Sequence, residues 1–112
     1  MYKLFDLIFG KNDKTEINVK ITHYEAPEIE DPYVNSTVWP CSTAADFAKL
    51  YDDISRGRKN LQSKLPEIKI KIELSGKLKG LDIKEKFDDL DSYHLFLEKN
   101  ELFNKSSLQL VN

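Results

Sequence analysis

In Pro66-Glu67-Ile68-Lys69-Ile70-Lys71-Ile72-Glu73-Leu74, four apolar residues alternate with Lys69, Lys71 and Glu73. A period of two puts Ile68, Ile70, Ile72 and Leu74 on one side of an extended chain and the charges on the other. β-branched side chains favour a pleated, half-buried surface. The stretch therefore predicts a strand with one face in the core and one in water, with Pro66 at its entry and Ser75-Gly76 as a turn at its exit.

Thr15–Tyr24 repeats the pattern. Ile17, Val19, Ile21 and His23 share one face, and Glu16, Asn18, Lys20, Thr22 and Tyr24 share the other. Two such strands require helices to cover the apolar face of a sheet. Ser42–Lys64 supplies one. Phe47, Leu50, Tyr51, Ile54, Leu61 and Leu65 follow a helical stripe, and Thr43 with Asp46 forms an acidic capping box. Gly57 lies near that stripe, either allowing close approach to the sheet or dividing the helix. A second helix is expected from Asp82, with Glu85 completing its cap and Ile83, Phe87, Leu90, His94 and Leu97 as its stripe. A return strand over 77–81, a closing strand over 107–111 and a short N-terminal helix over 2–9 complete the expected elements.

The expectation is one α+β domain spanning 1–112. It has a small mixed or antiparallel sheet of three to five strands and two long helices on one face. The element order approximates the ferredoxin-like, split βαβ arrangement. At 112 residues the chain can bury a core without a disulfide or metal. Its single cysteine, Cys41, excludes an intramolecular disulfide framework and suggests a reducing compartment. The apolar arm 1–10 is too short for a membrane span and lacks a leader pattern, so a cytoplasmic setting is expected.

Residues 25–40 read as an irregular, acidic loop stiffened by Pro27, Pro32 and Pro40, with edge-strand pieces at Tyr33-Val34 and Thr37-Val38-Trp39. Glu28, Glu30, Asp31, Tyr33, Val38 and Trp39 form a candidate protein-binding surface, because aromatic residues on a stiff loop bind at low ordering cost. The competing reading makes Trp39 a core residue that seals the end of the first helix. A homodimer through the apolar ends of the chain fits the same composition.

Net charge is −2, but it is segregated. Residues 56–86 hold ten basic and four acidic side chains, and residues 24–55 hold seven acidic and one basic. Arg56, Arg58, Lys59, Lys69, Lys71, Lys77 and Lys79 are thus a candidate anion or nucleic-acid surface, the alternative to protein binding. Tyr24 is the only aromatic residue expected on the open strand faces, which argues against a base-stacking platform. Cys41 with His23 or His94 is the sole candidate nucleophile pair, and both histidines fall on core-facing phases. No catalytic set, metal-ligand spacing or phosphate loop is present in the pattern, so no cofactor is expected.

Overall fold

A computed structural model describes residues 14–103. Its elements are β1 (Glu16–Tyr24), β2 (Val34–Cys41), α1 (Ala44–Lys64), β3 (Lys69–Leu78), β4 (Leu81–Phe87) and α2 (Leu90–Lys99). The four strands form one antiparallel sheet in the order β2-β1-β3-β4. β2 and β3 both run antiparallel to β1, so they are parallel to each other with β1 between them, joined by α1.

The two periodic strands pair as their patterns require. Val19 lies opposite Leu74 and Ile21 opposite Ile72, so the apolar sets share one face. Ile17, Val19, Ile21, Ile70, Ile72 and Leu74 form a single core cluster with Phe47, Leu50 and Ile54 of α1 and Tyr93 and Leu97 of α2. The other face carries Asn18, Lys20, Thr22 and Tyr24 of β1 beside Lys69, Lys71, Glu73, Ser75 and Lys77 of β3.

α1 begins as read. The Thr43 hydroxyl accepts from the Asp46 amide at 3.1 Å, and Asp46 Oδ2 accepts from the Ser42 and Thr43 amides at 3.0 and 3.1 Å. The Ser42 amide bond, followed by those of Thr43, holds this carboxyl below its ordinary pKa. α1 is unbroken at Gly57. A Cβ added there would meet nothing within 4 Å, so this glycine serves neither close packing nor a break.

Three expectations are corrected. Residues 34–41, expected as loop with edge-strand pieces at 33–34 and 37–39, are one continuous edge strand. Ser75-Gly76 lies inside β3, and the turn falls at Lys79-Gly80, where both residues have positive φ (52° and 86°). That is the I′ geometry of a two-residue hairpin, and it closes Leu78 onto Leu81. Finally, Asp82 starts no helix: 81–87 is β4, and the second helix is a short one capped by Asp89, whose Oδ1 accepts from the Ser92 amide at 2.7 Å. The element order is thus ββαββα over the described residues, not βαββαβ. The N-terminal helix and the 107–111 strand lie outside the described residues.

Candidate functional site

β2 is the edge strand next to β1, and no described strand covers its other side. Its sequence, Val-Asn-Ser-Thr-Val-Trp-Pro-Cys, contains no charge. Edge strands ordinarily carry lysines, inward charges or bulges that discourage pairing. β4 at the opposite edge does so, with Asp82, Lys84, Glu85 and Lys86. On β2 the large apolar side chains stay in water: Val34 is 63% exposed, Val38 57% and Trp39 49%.

The hairpin fixes which backbone groups face outward. The Glu25 amide donates to Tyr33 O at 2.9 Å, making 25/33 a hydrogen-bonded pair. Such pairs alternate along an antiparallel ladder. In the observed register, Asn35, Thr37, Trp39 and Cys41 therefore bond β1, whereas Val34, Ser36, Val38 and Pro40 aim their backbone groups at the free edge. Pro40 accordingly costs the β1 ladder nothing, because its missing N–H points away from it.

Side chains divide by the same parity. Val34, Ser36, Val38 and Pro40 stand on the open face, where Ser36 shares a 2.8 Å hydrogen bond with Thr22. Asn35, Thr37 and Trp39 stand on the helix side. The Trp39 indole Nε1 donates to Thr37 Oγ1 at 2.9 Å. A groove of about 330 Å³ runs between this side of β2 and α1, walled by Tyr33, Trp39, His23, Leu50, Ile54 and Leu61 among others. Trp39 is thus a half-exposed groove wall, not a seal on the core.

Of the candidate protein-binding residues, Tyr33 and Trp39 wall the same groove on the helix side of β2, whereas Val38 stands on the open face. Glu28, Glu30 and Asp31 are exposed in the 25–33 turn at its start. The candidate basic set is divided. Lys69, Lys71 and Lys77 are on the open sheet face, whereas Arg56, Arg58 and Lys59 are on α1, across the sheet. Arg56 pairs with Asp52 and Asp53 at 3.0 and 2.7 Å, and Arg58 is half-buried, donating to Ile68 O at 3.5 Å. Lys77 is bound to Asp82 at 2.7 Å and Lys79 to Glu101 at 3.5 Å. Three further lysines stand on the open face outside that candidate set: Lys20, already expected on the polar side of its strand, and Lys84 and Lys86. Lys20 is on β1, and the β3–β4 register places Lys84 opposite Ser75 and Lys86 opposite Glu73. The signal for Lys84 and Lys86 was hidden by reading 82–87 as helix.

Cys41 is 5% exposed, and burial, aided by the Asp46 carboxylate, pushes its thiol up to about 11. His23 lies six residues along β1 from Ile17, the partner of Cys41, which is about 20 Å at strand rise. His94 is held elsewhere, 3.8 Å from Glu98, tilted against the Tyr51 ring and edge-to-face with Phe103. The thiol thus stays protonated at neutral pH, and His23 is too far away to activate it. Among the described residues no helix is long and apolar enough to cross a membrane.

These features define a small antiparallel α+β domain with one charged and one uncharged sheet edge. Comparison with protein-family models, curated proteins and solved structures found no match for this chain.

Proposed function

We propose that this chain is a small, non-enzymatic protein-binding domain, acting as an accessory or inhibitory factor in a reducing, cytoplasmic setting. The observation that carries this reading is the β2 edge: an uncharged eight-residue strand in which Val34, Ser36, Val38 and Pro40 turn their backbone groups outward and Val34, Val38 and Trp39 expose their side chains. An open strand edge supplies main-chain hydrogen bonds, and adjoining pockets supply selectivity. The groove beside Tyr33 and Trp39 is such a pocket, and Glu28, Glu30 and Asp31 add a negative rim.

The test is affinity capture with quantitative mass spectrometry, comparing wild type with Tyr33→Ala/Trp39→Ala. Both side chains are partly exposed, so the variant should keep the wild-type melting temperature. A protein captured by wild type and lost with the variant is expected. Identical captured sets would sink the reading.

A second reading has its own observation. Lys20, Lys69, Lys71, Lys84 and Lys86 share the open face, and none has an ion-pair partner among the described residues. That array suits a polyanion better than the sequence segment 56–79 does. Lys69→Ala/Lys71→Ala/Lys84→Ala/Lys86→Ala should then weaken nucleic-acid binding and flatten its salt dependence by up to about four counterions. Binding that is absent, or insensitive to salt, dismisses it.

A further inference from the structure

We propose that the free edge of β2 pairs with β2 of a second copy of this chain, in one defined antiparallel register centred on Ser36. This rests on the protein-binding reading and names its partner. The argument starts from the backbone. Val34, Ser36 and Val38 each present an N–H and a C=O to the free edge, whereas Pro40 presents only a C=O. Pro32, in phase with them before the strand begins, also lacks an N–H.

Setting Ser36 opposite Ser36 of the second copy places Val34 opposite Val38 and Val38 opposite Val34. These three pairs each exchange two hydrogen bonds, and no donor is missing. The next pair at either end is Pro32 opposite Pro40, neither of which could donate. The ladder is therefore bounded by prolines at both ends. Sliding by one pair in one direction puts Val34 opposite Pro40, and in the other Val38 opposite Pro32. Either slip loses donors.

Side chains favour the same register. Cross-strand partners fall on one face of a sheet, so valine meets valine and serine meets serine on the open face. On the helix side Asn35 meets Thr37, and Tyr33 meets Trp39, which would join the two grooves into one aromatic seam. The strand carries no charge, so no like charges meet anywhere along it. A strand so free of self-repulsion suits its own copy better than it suits a charged partner. The product is an eight-stranded sheet with a two-fold axis along the sheet normal, the self-complementary contact that closed dimers require.

The test uses two charge variants at the axis, Ser36→Lys and Ser36→Glu. Residue 36 is exposed on the open face, so neither charge enters the core, and circular dichroism with melting temperature confirms the fold. Sedimentation velocity over a concentration series should show a dimer for wild type. Each variant alone should dissociate more than about tenfold more readily, because its like charges face each other across the axis. An equimolar mixture of the two should restore the dimer. A wild-type monomer at every concentration, dimers unaffected by either variant, or a mixture that stays monomeric would each overturn the proposal. A monomer that still captures a protein through Tyr33 and Trp39 overturns self-pairing alone and leaves the broader reading standing. A Ser36-centred dimer that captures nothing else confines the edge to self-association.

Discussion

Gly76 shows how closely β1 and β3 approach. Its φ is +135°, and a Cβ built there would lie 2.2 Å from Glu16 O, so a backbone atom would have to move. Gly76→Ala should cost about 3 kcal/mol, combining strain at positive φ with a clash that no flexible side chain can relieve. Urea unfolding would read that loss as a lower midpoint at an unchanged slope. His23 carries a pH dependence. Burial first, and then the Arg58 guanidinium, lowers its pKa from the ordinary 6.5, and Nε2 has no hydrogen-bond partner among the described residues. Above 6.5 the imidazole is neutral in both folded and unfolded chains and adds no slope. Below 6.5 the unfolded chain binds a proton that the folded chain resists, so stability falls as pH drops from 6.5 through the lowered folded value. His23→Gln should remove that part of the slope in melting temperatures measured from pH 7.5 to 5.

Among the elements, β1, α1 and β3 as far as Leu74 were legible in the sequence because each obeys one period and buries one face, whereas Ser75-Gly76 reads as a turn inside β3. β2 was not legible. Its side chains are exposed on both faces from Val34 to Pro40, so no burial pattern marks it, and Pro40 reads as a strand breaker until its N–H is seen to point outward. β4 was misread because Ile83 and Phe87 are four apart, a helical spacing, while Glu85 interrupts the alternation of Leu81, Ile83 and Phe87. Asp82 and Glu85 imitated a cap that the chain places at Asp89 and Ser92. The candidate site suffered accordingly. Its aromatic half was found as a loop with edge-strand pieces, and the continuous strand from Val34 to Cys41 was not, because exposure on both faces leaves no period to join those pieces. Within α1, Gly57 is unconstrained by packing, so Gly57→Ala should raise stability by about 1 kcal/mol, visible as a higher melting temperature.

Across the molecule, polarity runs from edge to edge as well as from face to face. The helix-covered side of the sheet holds the core, and the open side holds the lysines. The charges of β4, described above as ordinary edge protection, have a further consequence. A sheet with two adhesive edges would add copies without limit, whereas of the two described edges β2 is the uncharged one. If β2 pairs with a second copy as proposed, Asp82, Lys84, Glu85 and Lys86 would act as a chain terminator for edge-to-edge assembly, setting a ceiling of two copies. Lys84→Thr/Lys86→Thr would lift that ceiling. Light scattering should then rise with time and concentration as pairs join into open-ended ribbons, while the wild-type protein stays finite in size.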